Sequence, residues 1–376
     1  MNRGAVAEIH LFALAHNLDV IRNITGNRRV ISVVKADAYG HGSIEVSKKL
    51  VKEETSFLAV AYSGEAVQLR NSGISAPVIV LFDSWAFDDF FDYDLIPVLH
   101  DVSAASALSE FAEKRGSSIS VHVKIDTGMG RLGLLGEHAV VEIMKISSMK
   151  GIHLTGLMSH FSDADLSDRS YAMLQLERFR GIRDEAVRKL NRNLFSHIAN
   201  SSAILTFEDA YLDAVRPGIM LYGYSPLDKS NQQYPDNIKL LPAMRVKTSV
   251  LAVRNIPAAY PVSYARTFHT KRQSRIGLLP VGYADGFNRL FSNNADVLVR
   301  GKRAPVVGRV CMDLTMVDLT EIAEAREGDE VILLGEQGGE SITAQELADR
   351  AKTIPYEILT SLGKYSRRIY FDVPSC

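Results

Sequence analysis

The feature that most constrains the fold is a regular alternation of short apolar runs and helical patterns over the first 225 residues. Eight runs are rich in β-branched and apolar residues, as buried strands are: Val30–Val34, Phe57–Tyr62, Pro77–Phe82, Leu95–His100, Ile119–Ile125, His153–His160, Phe195–Ala199 and Ala214–Leu221. Helical patterns lie between them at Ser43–Glu53, Gly64–Ser72, Val102–Lys114, Glu137–Ser147 and Arg169–Leu190. Strands that alternate with helices predict βαβ units and a parallel sheet. Eight such units predict a (β/α)8 barrel, and a doubly wound open sheet is the alternative.

The pattern changes after about residue 226. Pro226, Pro235 and Pro242 lie among polar residues, which is typical of a linker. Short alternating runs follow at Val246–Arg254, Ser274–Val281, Ala295–Val299, Ala304–Val310, Thr315–Leu319 and Glu330–Leu334, with one helical pattern at Thr343–Lys352. The sequence therefore predicts a barrel domain over residues 1–232 and a mainly β C-terminal domain over residues 233–376.

The composition is that of a globular protein without a charged binding surface. Hydrophobic residues make up 46% and charged residues 23%, and the net charge of −1 favours neither nucleic acid nor anionic membrane. Cys311 and Cys376 form no metal-binding pair and no disulfide framework. Glu8, His10 and His16 interrupt the N-terminal segment, and no run reaches the ~18 apolar residues of a membrane helix. We therefore expect a cytoplasmic protein.

Polar side chains end five of the predicted barrel strands. Chemistry in such barrels takes place at the C-terminal ends of the strands. The groups in question are Lys35, Lys124, Asp126, His160, Asn200, Ser201 and Arg216. Each one alone is compatible with a solvated strand end, but five strands that end in this way indicate a functional site.

Lys35 is the most informative of these residues. It follows the apolar run Ile31–Val34 within the segment VVKADAYGHG. A lysine at the mouth of an apolar barrel is partly desolvated, which lowers its pKa and makes its amine a nucleophile for a carbonyl. An aldehyde cofactor requires such an amine. A surface lysine is the alternative, and position alone favours neither.

The segment VVKADAYGHG resembles the lysine segment of the alanine racemases. Seven further segments are similar to that family, in family order: VKIDTGMGRLG, HIANSSA, VRPGIMLYG, SYARTF, LPVGYADGF, GRVCMDLTMVD and IPYEIL. Together they span nearly the whole chain. The resemblance implies a barrel followed by a β domain, pyridoxal phosphate bound to Lys35, and a homodimer with shared active sites.

The resemblance also implies catalytic roles. Lys35 would hold the cofactor and act as one base, and Tyr264 would be the base on the opposite face of the substrate. His160 would hydrogen-bond Tyr264, with a satisfied core histidine as the alternative. Arg216 would face the pyridine nitrogen and, as a donor only, leave that nitrogen unprotonated. A structural ion pair is the alternative for Arg216.

The resemblance implies binding residues as well. The cofactor residues are Lys35, Tyr39, His160, Asn200, Ser201, Arg216, Gly218, Ile219 and Tyr356. The substrate residues are Arg131, Met312 and Tyr264, and the residues that narrow the access corridor are Asp165, Tyr283, Arg309 and Ile354. Lys124 matches a lysine that is often carbamylated in the family, whereas an unmodified Lys124 paired with Asp126 or Asp313 is the alternative.

Two other patterns do not support a site. Gly128, Gly130 and Gly133 spell the dinucleotide fingerprint, but they follow four earlier βα units and no acidic residue ends a strand ~20 residues later. His153 and His160 are seven residues apart on a strand, so they point to opposite faces and do not form a zinc site. We expect no metal.

The resemblance favours interconversion of L- and D-alanine, which would supply D-alanine for peptidoglycan. A pyridoxal-phosphate decarboxylase of basic amino acids shares the same domain plan, and the Cys311 segment keeps it open. Tyr264 argues for the racemase. A non-catalytic cofactor-binding protein is the third hypothesis, but such proteins lack the β domain. A small amino acid is the expected substrate, and no nucleic acid or membrane partner is expected.

Overall fold

The computed structural model of the chain describes residues 4–227 and 238–373, and it divides into two compact units. The barrel unit contains Ala13–Ala36 together with residues 43–227 and 238–241. The β unit contains residues 4–12, Asp37–Gly42 and residues 242–373. The predicted boundary between residues 232 and 233 lies outside the described residues. No described helix combines the length and apolar character that crossing a membrane requires.

The barrel unit is a closed ring of eight parallel strands. After β1 (Val6–His10), which belongs to the β unit, the ring consists of β2 (Arg29–Val33), β3 (Phe57–Val60), β4 (Val78–Val80), β5 (Ile96–Leu99), β6 (Ile119–Asp126), β7 (Ile152–Met158), β8 (Phe195–His197) and β9 (Ala214–Val215). Each strand pairs in parallel with the next. β9 closes the ring on β2, with Ala214 opposite Arg29 and Val215 opposite Val30. The predicted barrel is therefore confirmed and the open sheet is excluded.

All five helices that the sequence predicts before residue 226 are present, as is the helix predicted at Thr343–Lys352, with ends that differ by no more than two residues. The right-handed α-helices described before residue 227 are α1 (Leu11–Ile24), α2 (Ser43–Lys52), α3 (Ser63–Asn71), α4 (Phe87–Asp92), α5 (Val102–Arg115), α6 (Ala139–Ser147), α7 (Ser170–Leu190) and α8 (Ser201–Thr206). Local capping fixes the ends of α5. Asp101 accepts a hydrogen bond from the Ala104 amide at 2.8 Å, and Gly116 ends the helix in the left-handed conformation. The sequence did not predict α1, α4 or α8.

The eighth barrel strand is shorter than the predicted run Ala214–Leu221. Strand β9 ends at Val215, and Ile219–Tyr222 forms a 3-10 helix instead. Pro217 lies between them and has no amide hydrogen to donate to a neighbouring strand. The chain therefore turns at Pro217 and Gly218, where the resemblance places the phosphate-binding residues.

A left-handed turn follows Lys35. Residues Ala36 to Tyr39 all have φ angles between +53° and +54°, although none of them is glycine. Each such residue costs about 1–2 kcal/mol, so the surroundings must hold the turn. Within the β unit, the Gly42 amide donates to the Asp37 carbonyl at 2.9 Å, and Asp37 Oδ2 pairs with Arg368 Nη2 at 2.6 Å.

Among the described residues, the β unit contains two larger sheets, a short antiparallel pair of Pro261–Val262 with Phe268–His269, and two helices. Besides β1, the two larger sheets contain β10 (Met244–Ser249), β11 (Ala252–Ile256), β12 (Ser274–Leu279), β13 (Asp296–Val299), β14 (Lys302–Pro305), β15 (Thr315–Asp318), β16 (Glu330–Gln337), β17 (Glu340–Ile342) and β18 (Arg367–Phe371). One sheet has the order β14-β13-β16-β10-β1-β18, with β17 also paired to β16, and the other has the order β11-β12-β15. Only the pairing of β1 with β18 is parallel. The helices are α9 (Ala344–Ala351) and α10 (Pro355–Tyr365).

The two sheets divide a segment that the sequence predicts as one strand. The run Val246–Arg254 is two strands, because β10 ends at Ser249 and β11 begins at Ala252 in the other sheet. The N-terminal strand β1 lies between β10 and β18. Its Glu8 pairs with Arg245 at 2.6 Å and with Lys247 at 2.5 Å across the β1–β10 pair, which satisfies a charge that is mostly buried.

Candidate active site

Lys35 lies at the C-terminal end of β2 and is partly buried. Its amine lies 5.3 Å from the centre of the Phe82 ring, and the Arg131 guanidinium lies 5.4 Å from the same ring. Burial lowers the pKa of the Lys35 amine, the positive charge of Arg131 lowers it further, and Glu65 opposes the shift. This environment favours the neutral, nucleophilic form of the amine.

Lys124 lies on β6 and is only 2% exposed. Burial and the charges of Arg131 and Arg216 lower the pKa of its amine to about 8. Asp126 forms no ion pair with it among the described residues. The Asp126 carboxylate instead accepts hydrogen bonds of 2.8–3.1 Å from the backbone amides of Gly128, Met129, Gly130 and Arg131. Asp126 therefore shapes the loop that carries Arg131, and Lys124 is left with an excess of positive charge around it.

Arg216 is buried and makes four polar contacts. Its Nη1 lies 2.6 Å from His197 Nδ1, and its Nη2 donates to the carbonyls of Ser159 at 2.6 Å and Ile198 at 3.1 Å. Nη2 also lies 3.3 Å from Nδ1 of His160. Burial lowers the Arg216 pKa to about 9. Among the described residues no carboxylate pairs with Arg216 and no acceptor meets its Nε–H group, which stays free to donate to a ligand.

The loops after β8 and β9 are held together by one hydroxyl. Ser201 Oγ accepts hydrogen bonds from the backbone amides of Gly218 at 3.0 Å and Met220 at 3.5 Å. Asn200 begins α8, since its Oδ1 accepts a hydrogen bond from the Ala203 amide at 3.0 Å. The structure therefore brings together Asn200, Ser201, Gly218 and the adjoining Ile219.

The β unit brings a second group of predicted residues together. The Tyr283 amide donates to the Cys311 carbonyl at 3.1 Å, and the Ala284 amide donates to the Met312 carbonyl at 3.0 Å. Ser263 Oγ donates to the Arg309 carbonyl at 2.6 Å, which links the turn that carries Tyr264 to the same segment. Three loops therefore carry Tyr264, Tyr283, Arg309 and Met312 as neighbours.

Four of the predicted residues of the β unit are unusually exposed for large apolar side chains. The exposed fractions are 70% for Tyr264, 57% for Ile354, 54% for Met312 and 42% for Tyr283. These four side chains add apolar area to the surface of the β unit.

Tyr39 and Tyr356 also lie together in the β unit, with ring centres 5.8 Å apart. Burial and the neighbouring Tyr356 raise the pKa of the Tyr39 phenol, so this group remains a neutral donor and acceptor.

Comparison with known proteins gives the family. The model of the alanine racemase N-terminal domain matches residues 9–226, and the model of the alanine racemase C-terminal domain matches residues 243–370. The chain belongs to the alanine racemase family. The two matches together cover most of the chain, so both the barrel and the β unit carry the family pattern.

Individual alanine racemases are similar over their full length. The alanine racemase of Thermodesulfovibrio yellowstonii is 47% identical over 374 residues, which is 98% of each chain. The structure of the Clostridium difficile 630 enzyme is 34% identical and superimposes with a TM-score of 0.93, covering 99% of this chain and 97% of that one. The Bartonella henselae alanine racemase, solved with covalently bound pyridoxal phosphate, has a TM-score of 0.87 at 29% identity and covers 98% and 100%.

The predicted residues of the alanine racemase pattern fall into these groups as follows. The barrel unit holds Lys35, Lys124, Arg131, His160, Asn200, Ser201, Arg216, Gly218 and Ile219, with Asp165 exposed in the loop after β7. The β unit holds Tyr39, Tyr264, Tyr283, Arg309, Met312, Ile354 and Tyr356. Among residues 4–227 and 238–373, no set of three His, Cys, Asp or Glu side chains could hold a metal ion.

Sequence reasoning missed His100, which ends β5. Leu99 pairs with Val123, so His100 lies beside Lys124 on the neighbouring strand. The ring is 8% exposed and neither nitrogen has a hydrogen-bond partner of normal geometry among the described residues, although the Leu81 backbone faces it. Burial and the Lys124 charge lower its pKa to about 4. Its place at the end of a predicted strand was the available signal.

His197 and Glu65 were missed as well. His197 occurs inside the HIANSSA segment, but it lies within the predicted strand Phe195–Ala199 and not at its end. Glu65 accepts hydrogen bonds from the amides of Ala36 and Ala61, each at 2.7 Å, and so ties the residue after Lys35 to the end of β3. Glu65 lies on a helix in the sequence pattern, and only the folded chain shows which amides it meets.

Proposed function

We propose that this chain interconverts L- and D-alanine with pyridoxal phosphate as its cofactor, using Lys35 and Tyr264 as bases on opposite faces of the substrate. The observation that carries the proposal is the partly buried Lys35 amine at the mouth of the barrel. This amine lies near the aromatic ring of Phe82 and the positive charge of Arg131. Membership of the alanine racemase family indicates that the substrate is alanine.

The described residues fit this cofactor. Lys35 supplies a nucleophilic amine, Arg216 keeps a free Nε–H donor in a buried position, and Ser201 and Gly218 form a compact backbone loop of the kind that binds phosphate. We assign Asn200, Ile219, Tyr39 and Tyr356 to the same phosphate site. When bound, the cofactor withdraws electrons from the α-carbon of the amino acid and so acidifies its hydrogen.

Two bases are needed because inversion removes a proton from one face and returns one to the other. We assign Lys35 to one face and Tyr264 to the other. A free phenol has a pKa of ~10 and needs help to act as a base near neutral pH. We assign that help to His160, whose Nδ1 faces Arg216 Nη2 at 3.3 Å and whose Nε2 is then the protonated nitrogen.

Arg216 would limit the electron withdrawal by the bound cofactor. A guanidinium only donates hydrogen bonds, so it would meet an unprotonated ring nitrogen. The cofactor would then withdraw electrons less strongly, which would limit negative charge on the substrate and disfavour side reactions such as transamination.

The substrate carboxylate is assigned to Arg131, to the backbone of Met312 and to Tyr264. Arg131 is held in place by Asp126 through its backbone amide at 2.9 Å. We assign Asp165, Tyr283, Arg309 and Ile354 to the access corridor, where narrowing would select small amino acids.

We further propose that Lys124 reacts with carbon dioxide. The neutral amine would form a nitrogen–carbon bond and release one proton, which leaves a carbamate anion. Support comes from the buried amine with a pKa of about 8 and from the cations around it, Arg131, Arg216 and Lys35. An anion at this position would offset their charge and hold Arg131.

We propose that the chain acts as a homodimer with shared active sites in the cytoplasm, where its D-alanine would enter peptidoglycan synthesis. The exposed Tyr264, Met312, Tyr283 and Ile354 support a partner surface on the β unit. The free thiol of Cys311 is compatible with a reducing compartment.

The test is direct. Purified protein is incubated with pyridoxal phosphate and L-alanine, and the enantiomers are followed by chiral chromatography. We expect D-alanine to accumulate until both enantiomers are equal, and we expect Lys35→Ala to abolish the reaction. Carbon dioxide release from lysine or ornithine without racemisation would instead identify a decarboxylase. Cofactor binding without turnover of either kind would identify a binding protein.

A further inference from the structure

The turn that carries Tyr264 is strained. Ser263, Ala265 and Arg266 have φ angles of +65°, +57° and +51°, and none of them is glycine. Residues in this region cost about 1–3 kcal/mol each and persist only where the surroundings hold them. The Tyr264 side chain is 70% exposed, so packing against its own unit contributes little to its orientation. Its position is therefore set by whatever holds the turn.

The antiparallel pairing of Val262 with Phe268 closes the turn, and two side chains tie it to a neighbouring segment, one on each side of Tyr264. Ser263 Oγ donates to the Arg309 carbonyl at 2.6 Å. On the other side, Asn293 Nδ2 donates to Thr267 Oγ1 at 3.0 Å, while Asn293 Oδ1 accepts a hydrogen bond from the Gly308 amide at 2.6 Å. Both sides of the turn are thus tied to the neighbouring residues Gly308 and Arg309.

The contact between the two segments is close. A side chain at Gly308 would place its Cβ 2.6 Å from Ser263 Cβ and 2.9 Å from the Val262 carbonyl oxygen, and Gly308 has a φ of +77°. Only glycine fits there. The turn therefore rests directly on the backbone of the segment that continues to Met312.

The chemistry of residue 293 suits this position. An amide side chain offers a donor and an acceptor at once, which the two contacts require. Asn293 itself has a φ of +53°, a conformation that asparagine tolerates better than other residues with a side chain. Neither its sequence context nor the family segments quoted above single it out.

We propose that Asn293 is a positioning residue for Tyr264, which it serves by clamping Thr267 to Gly308. The clamp fixes the strained turn from the side that Ser263 does not reach. The inference rests on the proposed role of Tyr264 as one of two bases. It predicts that loss of the clamp slows the proton transfer made by Tyr264 and leaves the transfer made by Lys35 unchanged.

The experiment compares five variants of the full-length holoenzyme, one of which is the double variant Asn293→Ala/Thr267→Val. Asn293→Ala removes both contacts, and Thr267→Val removes only the contact to Asn293. Thr267→Ser restores a hydroxyl and serves as the conservative rescue. Asn294→Ala is the matched control, because this neighbouring asparagine donates to the Arg350 carbonyl at 2.7 Å and does not contact the turn.

The readout is the primary isotope effect on kcat with α-deuterated L-alanine and, separately, α-deuterated D-alanine. Each base removes hydrogen from only one enantiomer. If Tyr264 is displaced, its step becomes more rate-limiting, so the isotope effect rises for the enantiomer that Tyr264 deprotonates and falls for the other. We expect kcat to fall about 10- to 100-fold in Asn293→Ala, since small misplacements of a catalytic group cost that much.

The outcomes separate the possibilities. Opposite changes of the two isotope effects in Asn293→Ala and Thr267→Val, with wild-type values in Thr267→Ser and Asn294→Ala, support the clamp. Because the two residues act as a unit, the double variant should be no slower than Asn293→Ala alone. Unchanged isotope effects at reduced activity would show a merely structural role and overturn the inference. A wild-type protein without racemisation would instead overturn the proposed function itself.

Discussion

Nη1 of Arg216 lies 2.6 Å from Nδ1 of His197, and this contact determines where the protons lie on two buried rings. A guanidinium can only donate, so His197 Nδ1 accepts and His197 Nε2 carries the hydrogen. His197 Nε2 lies 3.0 Å from His122 Nδ1 and therefore donates to it. Arg216, His197 and His122 thus form a directional chain in which both imidazoles are neutral.

The hydrogen-bond chain of Arg216, His197 and His122 predicts that the fold is sensitive to acid. Burial and the charge of Arg216 lower the pKa of His122 to about 3 and lower the pKa of His197 well below its usual range. Below pH ~6.5 the unfolded histidines bind protons and the folded ones do not. Stability is therefore fully present above pH ~6.5 and is lost as the pH falls toward the folded pKa values, by up to about 1.4 kcal/mol per pH unit for each histidine.

Denaturant unfolding between pH 7 and pH 5 measures this slope. His122→Gln should reduce the slope by one histidine's share, and His153→Gln, which replaces an exposed histidine outside this hydrogen-bond chain, is the matched control. Equal slopes in the wild type and His122→Gln would contradict the neutral assignment of His122.

Arg216 should also be important for stability. Its replacement by glutamine leaves the carbonyls of Ser159 and Ile198 without a donor. Buried acceptors that lose their partner cost about 1–3 kcal/mol each, so we expect the free energy of unfolding to fall by about 2–6 kcal/mol. Arg180→Gln is the control, because this partly exposed arginine pairs with the exposed Asp209 and should cost under about 1 kcal/mol. Similar losses in the two variants would contradict the structural importance of Arg216.

The barrel was predictable because its signal is local. Each of β2 to β9 is a short apolar run that is recognisable in the sequence without knowledge of the strands that pair with it. The predicted run at Ala214–Leu221 was too long because Pro217 interrupts it, and the presence of a proline was visible in the sequence. The pairing of β1 with β18 was not predictable, since it joins Val6 to Arg367 across almost the whole chain.

Part of the proposed site follows from the sequence in the same way. Lys35 and Arg216 end strands, so the barrel hypothesis alone selects them. Asn293 depends on two residues that are distant in sequence, Thr267 and Gly308, and so only the folded chain identifies it. The left-handed turn after Lys35 carries no glycine in its first four residues, and local rules for such turns rely on glycine.

Lys35 should carry the cofactor. Borohydride reduction of the holoenzyme followed by peptide mapping should place a pyridoxyl group on the peptide that contains Lys35. Lys124 is the internal control, because its amine also has a lowered pKa but is almost fully buried. A label on Lys124, or an unchanged label in Lys35→Ala, would contradict the assignment.

The active site should be shared between two chains. Lys35 belongs to the barrel unit and Tyr264 to the β unit, where its side chain is 70% exposed. In a two-fold dimer with composite sites, Lys35 of one chain would work with Tyr264 of its partner. Two variants that are inactive alone, Lys35→Ala and Tyr264→Phe, are therefore co-expressed with different affinity tags, and dimers that carry both tags are purified.

Shared sites give such a mixed dimer one site with both lesions and one site with neither. Random pairing makes about half of all dimers mixed, so about a quarter of wild-type activity should return in the unfractionated mixture, and about half in the doubly tagged fraction. If each chain builds its own site, every site carries a lesion and no activity returns. Each variant expressed alone with both tags is the control. Doubly tagged dimers without activity would rule out the shared site, because the mixed species is then present and every one of its sites is defective.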